Sequence, residues 1–103
     1  MQFSTYNLKK VEELIKEAGY KLRYEKGQFN SGFCVLQDKK VVVVNKYFTP
    51  EVRFSKLIDI IATIDFDRAQ IQTEQGRKTL HKIDMMFSHA NEMIFDTPKM
   101  PEE

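Results

Sequence analysis

The sequence predicts an α+β domain: a helix, a three-stranded and mainly antiparallel sheet, then two further helices packed on the sheet. Three observations carry this prediction. Apolar residues recur at three- and four-residue steps in the first eighteen positions, the period changes to two from Tyr20 to Glu25 with two short apolar runs following at Phe33 and Val41, and the helical period returns after Thr49. At 103 residues and 12.2 kDa there is room for one core, placed in residues 1–96 and followed by a flexible tail over 97–103.

Leu8, Val11, Leu14, Ile15 and Ala18 fall on one helical face, with Lys9, Lys10, Glu12, Glu13, Lys16 and Glu17 around the rest. Ser4, Thr5 or Asn7 can cap the start. Gly19 sits where a left-handed residue ends helices, and Tyr20 is placed to fold back onto Ile15 in a Schellman-type contact. Tyr20, Leu22 and Tyr24 then alternate with Lys21, Arg23 and Glu25, as in a strand with one wet face. Lys26-Gly27 reads as a turn, and Ser31-Gly32 as a bulge or a close backbone approach. Phe33 to Leu36 and Val41 to Val44 form a hairpin across Gln37-Asp38-Lys39-Lys40. Four consecutive valines have no wet face, which puts the third strand in the middle of the sheet or under cover on both sides.

Thr49-Pro50-Glu51 supplies an N-cap, a proline at the first helical position and a carboxylate near the positive end of the dipole. Phe54, Leu57, Ile58, Ile61 and Ile64 carry that helix to about Asp65. Asp67 and Gln70 have capping-box spacing, and Ala69, Thr73, Gly76, Leu80, Ile83, Phe87, Ala90 and Ile94 follow as a heptad file. A helix from Arg68 to Phe95 would be about 42 Å long at ~1.5 Å per residue, against about 34 Å for a globule of this size. Either Gly76 breaks it, or the helix runs through and Gly76 admits another backbone, including one from a second copy. The continuous helix is the preferred reading.

Composition narrows the function classes. Sixteen Lys and Arg against fifteen Asp and Glu leave a charge of +1, far from the basic field of a protein that lives on phosphate backbones, so nucleic acid is disfavoured as a partner. No apolar run approaches a membrane span, and none follows Met1 as a signal segment. With one Cys, the expected setting is a reducing cytoplasm. Cys34 between Phe33 and Val35 reads as a small buried hydrophobe.

No residues gather into a catalytic set, and neither a cofactor nor a metal site is expected. His81 and His89 lie about 12 Å apart along a helix, too far to share one zinc ion. Asp65 and Asp67 flank a helix junction, where Asp caps. The four glycines make no phosphate loop. Lys39, Lys40, Lys46 and Arg53, interleaved with Tyr47 and Phe48, are candidates for contact with an anion, a nucleic acid or an acidic partner, with solvated surface charge as the plainer account. Gly76, Leu80, Ile83 and Phe87 are the candidate self-association stripe.

Gly27-Gln28-Phe29-Asn30-Ser31-Gly32-Phe33-Cys34, Lys40-Val41-Val42-Val43-Val44-Asn45 and Thr49-Pro50-Glu51-Val52-Arg53-Phe54 together resemble the segment that leads into the active-site helix of ImmA/IrrE-type zincin domains. They also resemble small bacterial proteins in which Gly-x-Phe-x-x-Gly-x-Cys precedes an apolar strand ending in Asn-Lys. The zincin helix carries His-Glu-x-x-His, and here its first His falls on Ile58, its Glu on Asp59 and its second His on Ala62. Neither Ile nor Ala can bind zinc, so the resemblance implies a shared scaffold without the peptidase chemistry. The expectation is a cytoplasmic, non-enzymatic module that binds another protein or a second copy of itself. A hydrolase-like domain with a rebuilt metal site and a weak nucleic-acid binder are the alternatives.

Overall fold

The computed structural model describes residues 1–26 and 32–96, with side chains through Ser88. Among these residues the chain forms three α-helices and one three-stranded sheet: α1 (Thr5–Glu17), β1 (Lys21–Glu25), β2 (Phe33–Leu36), β3 (Val41–Asn45), α2 (Pro50–Thr63) and α3 (Glu74–Asp96). This is the α+β class that the change of period indicated. The expected positions of Gly27, Ser31 and the 97–103 tail lie outside the described residues. No helix among those described is long and apolar enough to cross a membrane.

The ends of α1 are built as its sequence specifies. The Ser4 hydroxyl accepts the Asn7 N–H at 3.0 Å. Gly19 has φ +94°, and the N–H groups of Gly19 and Tyr20 return to the carbonyls of Lys16 and Ile15, which is the Schellman pattern. At the start of α2 the Thr49 hydroxyl accepts the Val52 N–H, and Pro50 takes the first helical position.

The sheet runs in the order β1-β3-β2, so the four valines occupy its centre. β3 pairs antiparallel with β2, Phe33 opposite Val44 and Leu36 opposite Val41. It pairs parallel with β1, Lys21 opposite Val41 and Glu25 opposite Asn45. Leu22, Tyr24, Val42, Val44, Phe33 and Val35 therefore share the face turned to the core. Val42 and Val44 are wholly buried. The other face carries Cys34, Leu36, Val41 and Val43 beside Lys21, Arg23 and Glu25. Cys34 is thus half-buried on the outer face, a correction to its reading as a core thiol: alternation along β2 puts it opposite Val43.

α1 is the hub. It packs against β1, α2 and α3, and Leu8, Val11, Leu14 and Ile15 are all buried. The main contact of α3 is with α1, not with the sheet.

The expected helix from Arg68 is replaced by a broken one. Asp67 does cap, accepting the Ala69 N–H at 3.0 Å, but it caps a single 3-10 turn, Arg68–Gln70. The chain then dips to bury Ile71 before α3 starts at Glu74. Glu17, at the end of α1, holds the break open. One carboxylate oxygen accepts the N–H groups of Gln72 and Thr73, both at 2.8 Å, and the other accepts the Thr73 hydroxyl at 2.8 Å. Thr73 caps α3 by accepting the Gly76 N–H at 3.0 Å, and the Arg77 guanidinium donates to the Ile71 carbonyl. Gly76 thus lies in the first turn of α3, not at a mid-helix break. The group it admits is the chain's own Glu17: a Cβ there would stand 2.3 Å from a Glu17 carboxylate oxygen and 2.8 Å from Ile71.

Candidate functional site

The basic residues read together in sequence do not form one site. Lys39 and Lys40 precede β3 while Lys46 and Arg53 follow it, and the six steps from Lys40 to Lys46 cover about 20 Å of extended chain at ~3.3 Å each. Each end binds its own aromatic partner. The Lys40 ammonium lies 5.1 Å from the centroid of Tyr20, and Lys46 lies 5.4 Å from that of Tyr47.

Arg53 is committed to structure. Its guanidinium stacks 4.2 Å over the Tyr24 ring and donates to the Lys46 carbonyl at 3.4 Å, while its buried Nε finds no hydrogen-bond partner among the described residues. The Tyr24 hydroxyl donates to Glu12 on α1. Burial, and then the neighbouring carboxylate, push the Tyr24 hydroxyl far above its ordinary pKa, with Arg53 offsetting only part. Asn45 closes the turn after β3 by accepting the Tyr47 N–H at 2.9 Å. This cluster ties α1, β1 and α2 together.

The self-association stripe is divided by the fold. Leu80 and Ile83 are buried in the chain's own core and Gly76 is covered by Glu17. Only Phe87 emerges, at 36% exposure; Met85, two positions earlier and so on a different face of α3, is 57% exposed. Ile61 and, just past the end of α2, Ile64 share a hollow with Ile83, Asp84 and Phe87, whereas Phe54 and Ile58, nearer the start of α2, line one with Met86 and Phe87. The two helices therefore run in opposite directions. Arg68 closes one end of the groove with a two-pronged pair to Asp84, at 2.8 and 3.0 Å. At the other end lies an apolar hollow of about 340 Å³ lined by Phe54, Ser55, Ile58, Asp59, Met86 and Phe87, and Phe3 packs edge-on to Phe54 at 5.7 Å. α3 runs about 14 Å past Phe87, while α2 has about 6 Å ahead of Phe54. The long helix outruns its neighbour.

The positions that a zincin would use for metal are placed as follows. Ile58 is buried against the core, Asp59 lies by Met86 and Phe87, and Ala62 is exposed. His81 is exposed on α3, and the side chain of His89 lies outside the described residues. Among the described residues no three of His, Cys, Asp and Glu converge as metal ligands do. No known family model, curated protein or solved structure matches this chain. The hollow beside Phe54 is mainly apolar, with the Asp59 carboxylate in its lining.

Sequence reading missed two features. One is Glu17, whose partners lie 55 and 56 residues away. The other is a basic groove where α1 meets the start of α3, assembled from lysines of two distant helices. Neither has a local signal beyond the charge of the residues themselves.

Proposed function

We propose that this protein works by binding and not by catalysis, associating with a second copy of itself along the α2–α3 groove. The observation that carries this reading is the partly exposed Phe87 at the wall of an apolar hollow that Phe54, Ile58 and Met86 complete. In a two-fold pairing each copy offers both the knob and the hole, so one patch suffices for a closed contact. The heptad file continues through Ala90 and Ile94 on the part of α3 that outruns α2, which is the spacing that lets a helix pack against another helix. Fully burying a Phe side chain is worth about 1.5–3 kcal/mol relative to leaving it exposed, and a two-fold contact covers the exposed part of two Phe87 rings.

Sedimentation and light scattering between micromolar and hundred-micromolar concentration test the proposal. The expected result is a mean mass rising from 12.2 kDa toward twice that value, and a Phe87→Glu variant that stays monomeric with unchanged helical circular dichroism. A wild-type mass fixed at the monomer value, or a variant that associates as the wild type does, overturns it.

A further inference from the structure

We propose that the groove between α1 and the start of α3 binds single-stranded nucleic acid through its phosphates, with Tyr6 as the stacking platform. Two adjoining hollows of about 270 and 220 Å³ share Tyr6, Lys10 and Gln75. Lys9, Lys10, Lys78 and Lys82 line them against Glu13 and Glu74, which leaves the groove at +2 when the whole chain carries only +1. The rest of the chain therefore carries a net charge of −1, and the groove holds a local excess of positive charge.

The four cations are all lysine. A guanidinium reads a planar group with two prongs, whereas an ammonium acts as a point charge, so this surface is suited to a repeated anion and not to one oriented carboxylate. Lys78 and Lys82 stand one helical turn apart, about 6 Å along the axis. Glu74 is engaged with Lys78 at 3.2 Å, which trims the field without cancelling it.

Tyr6 separates a phosphate-bearing strand from an acidic peptide. Its ring is 67% exposed in the midst of the lysines, and the Lys10 ammonium lies 4.2 Å from its centroid. A solvated aromatic beside a lysine groove is the arrangement on which successive bases stack while the backbone follows the charges. A polyglutamate strand has no use for that ring. This surface shares no lining residue with the α2–α3 groove, so it stands or falls independently of self-association.

Fluorescence anisotropy with a labelled twenty-residue oligothymidylate at about 25 mM salt tests the proposal, with a labelled twenty-residue polyglutamate as the comparison. The expected result is oligothymidylate binding whose log affinity falls linearly with log salt, at a slope of about −2 to −3 for three or four phosphates contacted. Lys78→Gln with Lys82→Gln is expected to weaken binding at least tenfold. Tyr6→Ala should weaken it about fivefold or more, with Tyr6→Phe unchanged because the ring is kept. Lys39→Gln with Lys40→Gln, which line neither hollow, leaves affinity as it was. No binding at low salt, or indifference to the Lys78 and Lys82 changes, overturns the proposal. So does polyglutamate binding as tightly as the oligonucleotide with Tyr6→Ala silent, which would make the partner an acidic polypeptide.

Discussion

Gly32→Ala is expected to lower stability by about 2–5 kcal/mol, a large fraction of what a small domain has to spare. Two costs act at once. Gly32 has φ +85°, where an L side chain meets its own carbonyl at roughly 1–2 kcal/mol. A Cβ at that position would also stand 2.1 Å from the tip of the Phe48 ring and 2.6 Å from its next carbon, so the ring must leave its place against the core for about 1–3 kcal/mol. The two terms separate in a double substitution. Gly32→Ala in a Phe48→Leu background should cost only the conformational part, and urea denaturation of all four proteins measures the difference. A single-variant shift below about 0.5 kcal/mol would mean that the ring moves freely and the strain account is wrong.

The latch at Glu17 gives the second large effect. Glu17→Ala removes three charge-assisted hydrogen bonds and leaves the N–H groups of Gln72 and Thr73 to water, an expected loss of about 1–3 kcal/mol. The effect depends on pH in a definite sense. Partial burial raises the pKa of this carboxyl, but the N–H of Thr73, its hydroxyl, the N–H of Gln72 and the charge of Arg77 together outweigh burial and hold it below its ordinary 4.5. A group with a depressed folded pKa contributes stability that is complete above the unfolded value and is lost as pH falls through the folded one. The gap in unfolding midpoint between wild type and Glu17→Gln should therefore be constant from pH 7 to about 5 and narrow below about 4.5. A gap that widens in acid would reverse the assignment. Gly76→Ala complements this test. In an open helix it would gain roughly 1 kcal/mol, but here the new methyl group meets Glu17 and Ile71, and the expected sign is a loss.

These two sites also mark how much the sequence discloses. The ends of α1, the cap and proline of α2 and the central place of Val41 to Val44 are all written in neighbouring residues, and each forms as its local chemistry dictates. The start of α3 is not. Asp67 and Gln70 carry a genuine cap signal and the apolar file runs unbroken from Ala69 to Ile94, so nothing local says that helix must yield after Gln70. The decision is made by Ile71 entering the core and by Glu17, far back along the chain, taking the amides that a continuous helix would have used. The same distance in sequence hid the parallel partner of β3. The candidate site divides in the same way. Phe87 was visible as a member of the stripe, but only packing shows that Leu80 and Ile83 are consumed internally while Phe87 is not. Lys39, Lys40, Lys46 and Arg53 seemed one cluster because they are near in number, and an extended strand between them keeps them apart.

The strand order has a bearing on how the chain comes into being. Its two outer strands are made first and are neighbours of nothing until the third is available, because Val41–Asn45 must slide between them. A nascent polypeptide that has emerged only as far as Lys40 can coil α1 but has no ladder to zip. Tyr24 and Phe33 then remain apolar surface awaiting a mate, and the order of birth on the ribosome makes the last strand the one that completes the sheet.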